Sequence, residues 1–172
     1  MGWITRHKIS LGIARALAFL HNGSSSPIVH GGLAPFNVLL DDNFEPRVAE
    51  SGIKDLLKIS ARPEILNSLY AAPESLDTFN QGAKANVYSF GVVLLELVTG
   101  RRASDGGFPG GFKGNLVDWV RSLMKENHGV TALNTRLSNS APTTQMLDIT
   151  NVEHSASKTW ICLLFCTRVF RN

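Results

Sequence analysis

Residues 88–99 form an almost continuously apolar run, interrupted only by Ser89 and Glu96 and followed by Gly100. A segment that is apolar on nearly every side is a helix buried in the middle of a fold, and a glycine just past its end stops it. Whatever this chain folds into must therefore wrap other elements around that helix. With 172 residues it suits one domain and can bury a sizeable core.

Those other elements can be read from periodicity. Ile9, Ile13, Leu17 and Leu20 recur at helical spacing, with Ala14, Ala16 and Ala18 between them. They predict an amphipathic helix over residues 5–21, ended by Asn22-Gly23 and the serines that follow. Asn22-Gly23-Ser24 is also a glycosylation sequon, read here as a helix stop. Two short apolar runs, 37–40 and 47–49, flank Asp41-Asp42-Asn43 and read as a hairpin. Residues 50–71 show little periodicity and read as loop. Residues 106–114 are glycine-rich, contain Pro109 and read as a flexible loop. Leu116, Val117, Trp119, Val120, Leu123 and Met124 mark a further amphipathic helix, with Trp119 and Met124 as packing residues. Residues 127–145 are polar and loop-like, and 146–172 have mixed periodicity. The sum is a mainly α architecture with one small hairpin.

Composition removes several classes of function. Hydrophobic residues make up 44% and charged residues 18%, a globular balance rather than a disordered one. The net charge is +3, but the basic residues are scattered, with Arg101-Arg102 the only adjacent pair. A nucleic-acid surface needs a clustered stripe, so no nucleic-acid partner is expected. Cys162 and Cys166 have poor zinc spacing and imply no disulfide framework; they read as apolar residues or thiols of a reducing compartment. No apolar stretch precedes a cleavage site, and the run 160–166 is too short to span a bilayer. The expectation is a cytoplasmic chain without a membrane span.

Residues 30–41 read His30-Gly31-Gly32-Leu33-Ala34-Pro35-Phe36-Asn37-Val38-Leu39-Leu40-Asp41. The stretch resembles the H-R-D-L-x-x-x-N catalytic loop of protein kinases, with glycine at the Arg and Asp positions. Further matches follow in order and spacing. They are Gly12-Ile13-Ala14-Arg15-Ala16-Leu17-Ala18-Phe19-Leu20-His21, Ala72-Pro73-Glu74, residues 87–100, and Asn115-Leu116-Val117-Asp118-Trp119-Val120. Their wording is most similar to plant leucine-rich-repeat receptor-like kinases. The resemblance covers residues 3–150 and implies the helical lower lobe (C-lobe) of a protein kinase-like domain, α+β by superfamily. The upper lobe (N-lobe), with its phosphate-covering glycine loop and strand lysine, has no counterpart in the chain. Residues 151–172 are then a divergent tail.

Under this resemblance the departures fall where chemistry would occur. Gly32 stands at the general-base position and has no side chain to accept the substrate's proton. Gly31 replaces an Arg that clamps a phosphorylated activation loop, and Ala34 replaces a cation that contacts substrate phosphate. Asn37 is retained and could ligate magnesium through its carbonyl oxygen. Glu50-Ser51-Gly52 stands for the D-F-G triplet, its carboxylate one methylene further out than magnesium's octahedral geometry favours. Asn37 and Glu50 are thus degenerate metal-ligand positions. His30 is implied to be a core histidine under the loop, and Gly52, Glu74 and Asn86 are structural positions. Asn86 replaces an Asp that accepts hydrogen bonds from loop backbone, and holds the loop less firmly. Ser104, in a basophilic-looking Arg-Arg-Ala-Ser stretch, and Ser60, Ser68 and Tyr70 in the activation-loop region are candidate phosphosites.

The resulting expectation is a catalytically inactive, kinase-like regulatory or binding module derived from a receptor-like kinase. It would have no resident cofactor, with ATP and magnesium implied only by the family. Its partner would be a protein such as an active receptor-like kinase. Within a full-length receptor it would sit at the cytosolic face of the plasma membrane. Two alternatives stand beside it: a serine/threonine kinase with residual activity once an upper lobe is supplied, and a truncated gene product without function that exposes surface its relatives bury.

Overall fold

The computed structural model describes residues 1–23, 25, 28–51, 69–73, 82–137, 143–144 and 146–147. Gly52, Ser60, Ser68, Glu74, both cysteines and the tail 151–172 lie outside the described residues.

Helix α1 spans Trp3–Asn22 and buries Trp3, Ile9, Ser10, Ile13, Ala14 and Leu17 on one face. At its end Asn22 donates its side-chain amide to the Ala18 carbonyl (2.9 Å), and the Gly23 N–H donates to the Phe19 carbonyl (2.6 Å). Strands β1 (Val38–Leu40) and β2 (Pro46–Val48) pair antiparallel, Val38 opposite Val48 and Leu40 opposite Pro46. The turn between them is organised by Asp41, whose carboxylate accepts the N–H groups of Asn43 and Glu45, both at 2.9 Å. Lys8 tethers this hairpin to α1 by an ion pair with Glu45 (3.1 Å) and a bond to the Asn43 carbonyl (2.8 Å). Pro46 is buried against Gly12 of α1, where any Cβ would collide with the proline ring.

Helix α2 spans Ala83–Thr99 and is the buried centre the apolar run requires. Val87, Phe90, Val92 to Leu95 and Val98 are all within 5% exposure, so neither face meets water over the middle turns. It ends at Gly100 in the left-handed conformation (φ 69°), whose N–H returns to the Glu96 carbonyl at 2.9 Å. A Cβ at Gly100 would run into the Asn134 side chain, and the Asn134 N–H donates to the Val98 carbonyl (2.9 Å).

Helix α3 (Leu116–Lys125) starts at Asn115, whose side-chain oxygen accepts the Asp118 N–H at 2.8 Å. It buries Leu116, Val117, Trp119 and Val120. The glycine-rich segment before it is more definite than a flexible loop. A 3-10 turn at Pro109–Gly111 brings Phe108 and Phe112 into an antiparallel bridge, and Phe108 is buried with its ring stacked on Trp119 (centroids 5.2 Å apart). Burial of two large rings offsets the conformational freedom of the glycines around them. Arg101 covers the Trp119 ring at 5.5 Å to its centroid. Among the described residues no helix is long and apolar enough to cross a membrane.

Candidate functional site

The segment 30–37 leaves the core as loop, makes a 3-10 turn over Pro35–Asn37 and enters β1. Leu33 and Ala34 are buried at 1% exposure each, and His30 is buried beneath the loop. Gly31 adopts the left-handed conformation (φ 74°), which glycine takes without the steric cost that a Cβ imposes. Its N–H donates to Asn86 Oδ1 at 3.1 Å, and the Gly32 N–H donates to His30 Nδ1 at 3.3 Å. Asn37, 6% exposed, donates its amide to the Gly32 carbonyl at 2.8 Å. The Asn37 carbonyl in turn accepts the Ala49 N–H at 2.8 Å. The loop is therefore fastened at three places: from below by His30, from α2 by Asn86, and from within by Asn37.

What the loop holds out is bare backbone. Gly32 is half-buried and offers an N–H and a carbonyl, both already engaged inside the protein. Glu50, just past β2, is exposed and sits on left-handed backbone (φ 61°). For magnesium, which is held by one or two carboxylates together with substrate phosphates, this chain supplies one exposed carboxylate and one amide oxygen. The Asn37 amide nitrogen is committed to Gly32. Among the described residues no group of three or more His, Cys, Asp or Glu side chains gathers.

The other sequence-marked positions divide. Asn86 is 1% exposed and, besides Gly31, reaches His21 at the end of α1, its Nδ2 lying 3.0 Å from His21 Nε2. Burial alone lowers the proton affinity of His21 below its ordinary value of 6.5. In the sequence His21 is one letter of a helical motif, with no role of its own. Tyr70 does not present its hydroxyl: the residue is 9% exposed and donates to Glu96 Oε1 at 2.6 Å. Burial and the adjacent carboxylate push that phenol well above its ordinary value. A modifying enzyme needs that oxygen free, so phosphorylation of Tyr70 would require this bond to open. Glu96 Oε1 also accepts the Ala103 N–H at 2.6 Å, a link invisible in sequence. Ser104 is exposed, in a turn closed by the Asp105 N–H on the Arg102 carbonyl (3.1 Å).

Two apolar features adjoin the loop. Phe36, Leu39 and Leu40 are exposed by 57%, 58% and 41% on the segment that runs from the loop into β1. Between α1, β1 and the end of α2 lies a groove of about 340 Å³, walled by Ile9, Ile13, Val38, Val93 and Leu97 with Arg6 at its rim.

A loop of this frame, set between a helix, a small hairpin and a buried central helix, belongs to a protein kinase-like fold. Residues 2–135 match the family of protein tyrosine and serine/threonine kinases, and the chain belongs to that family. Its relatives include plant leucine-rich-repeat receptor-like kinases. The receptor protein-tyrosine kinase CEPR1 of Arabidopsis thaliana is 39% identical over 145 residues, 81% of this chain and 15% of that protein. The inactive LRR receptor-like serine/threonine-protein kinase BIR2 of the same plant is 42% identical over 130 residues, 72% of this chain and 21% of that protein. The solved pseudokinase domain of BIR2, described as an immune regulator of the RLK/Pelle family, superposes with a TM-score of 0.81 at 28% identity, over 99% of this chain and 53% of that one. The chain thus spans about a fifth or less of these curated relatives and about half of the solved domain.

Proposed function

We propose that the chain is a catalytically inactive, kinase-like module that works by binding protein partners, an active receptor-like kinase being the kind of partner it fits. The observation that carries this reading is Gly32: the loop around it keeps its anchors while the position that should bear a carboxylate bears no side chain. General-base assistance accounts for about 10²–10⁴ in rate where it operates, and the general base has no counterpart at this position. The kinship with BIR2 lends support. The exposed Phe36, Leu39 and Leu40 and the neighbouring groove supply apolar surface of the sort that partners cover. As part of a longer receptor-like protein, the module would lie on the cytosolic side of the plasma membrane.

The test has two arms. The first is radiolabelled phosphate transfer by the protein carrying whatever coding sequence lies upstream. The expected result is no turnover; turnover that disappears in Glu50→Gln would overturn the inactive reading. The second is recovery of the folded chain on immobilised cytosolic domains of receptor-like kinases. Failure to bind any of them would remove the regulatory half of the reading. A thermal shift with ATP, with and without magnesium, completes the picture: with Glu in place of the family's shorter Asp at position 50, no magnesium-dependent shift is expected.

A further inference from the structure

The two polar atoms of the Asn86 side chain face two different elements, Oδ1 the Gly31 N–H and Nδ2 the His21 ring. A backbone N–H can only donate, so the atom opposite Gly31 has to be the carbonyl oxygen. Turning the amide over would set donor against donor. With Oδ1 fixed, Nδ2 points at His21, and Nδ2 has only hydrogens to offer. Nε2 of His21 must then present its lone pair, which makes the ring neutral with its proton on Nδ1.

An aspartate at this position, as the family usually has, imposes no such condition. One carboxylate oxygen takes the loop N–H and the other welcomes an Nε2–H, charged or not. Replacing it by Asn reverses the polarity of the contact. Among the described residues of the adjoining segments, no carboxylate stands ready to compensate an imidazolium. The last turn of α1, residues 28–37 and the first turn of α2 contain no carboxylate, and their other titratable groups are His30 under the loop and the exposed Lys84. In the neighbouring segment 69–73 the phenol of Tyr70 is taken up by Glu96, and Glu50 lies exposed beyond β2.

We propose that Asn86 is a positioning residue that makes its bond to the 30–32 loop conditional on a neutral His21, so that protonating His21 breaks the link between Asn86 and the Gly31 N–H. With Nε2 protonated, Nδ2 and Nε2–H repel. The amide cannot rotate to suit His21 without turning its nitrogen onto the Gly31 N–H. Acid therefore costs the loop its bond to Asn86, a dependence set by this chain's own substitution.

Nuclear magnetic resonance of the full chain tests this directly, using long-range ¹⁵N–¹H correlations of the imidazoles and the Gly31 backbone amide. At neutral pH the expected pattern for His21 is an unprotonated Nε2 and a protonated Nδ1. Its titration midpoint should lie below 6.5, and the Gly31 amide signal should move with that same midpoint. Asn86→Asp should raise the proton affinity of His21 about tenfold or more, as a facing carboxylate does. A proton on Nε2 at neutral pH, a wild-type midpoint at or above 6.5, or a Gly31 signal that ignores the titration would each overturn the proposal. So would an Asn86→Asp chain whose His21 titrates like the wild type. The tautomer and Gly31 readings are made on the wild type, so they stand whether or not the variant folds, and they are independent of catalysis and of any partner.

Discussion

At the scale of single residues, the loop is informative because its parts have different tolerances. Gly31 sits at φ 74°, where a side chain costs about 1–2 kcal/mol. Gly31→Ala is therefore expected to lower stability by about that amount, and Gly31→Asn by less, since Asn tolerates left-handed backbone better. Urea midpoints at constant m-value would check the ranking. Asn37 is buried, and its amide meets the Gly32 carbonyl. Asn37→Ala leaves that carbonyl short of a donor, a loss of about 1–3 kcal/mol. The same urea series measures it, and an unchanged midpoint would show that Asn37 does not fasten the loop. His30, Asn37 and Asn86 could be picked out in the sequence because the surrounding motif fixes their places. The role of His21 could not, since it depends on a residue 65 positions away and on which end of an amide faces it.

At the scale of elements, periodicity located α1, the hairpin, α2 and α3 to within a few residues, because each buries a face that repeats in the chain. Contacts between elements left no such trace. Gly12 reads as one more small residue of a helical motif, yet it is where Pro46 presses onto α1. Gly12→Ala improves helix propensity by about 1 kcal/mol, but overpacking a tight contact costs about 1–3 kcal/mol. Since the obstacle is a stiff ring, a net loss is expected, visible as a lower thermal midpoint. A companion change, Pro46→Ala in the Gly12→Ala background, should recover part of it. Likewise the glycines of 106–114 suggested looseness, whereas Phe108 ties the segment to Trp119; sequence shows the glycines but not the ring they fold onto. At the start of α3, Asn115→Ala removes the cap on the Asp118 N–H and should cost about 0.5–2 kcal/mol, read from the same thermal curves.

At the scale of the whole molecule, pH acts with a definite sign. His7 and His21 are both held below the ordinary 6.5 by burial. Below 6.5 the unfolded chain takes up protons that the folded chain refuses, so stability rises with pH across that window and falls as pH drops through it. Asp41 adds to the trend further down. The Glu45 and Asn43 N–H groups hold its carboxyl below the usual carboxylate range, so its contribution is present above that range and lost on further acidification. Denaturant midpoints followed from neutral pH downward should decline in two stages, and His21→Gln should diminish the first. A flat profile between neutrality and the carboxylate range would contradict this.

Glu96 gives the molecule one more property. The hydroxyl of Tyr70 and the N–H of Ala103 converge on a single oxygen of that carboxylate, one from the segment ahead of α2 and the other from the turn behind it. Two stretches of chain more than thirty positions apart are thus moored to one post. Anything that draws that oxygen away, such as a competing cation, loosens both moorings at once.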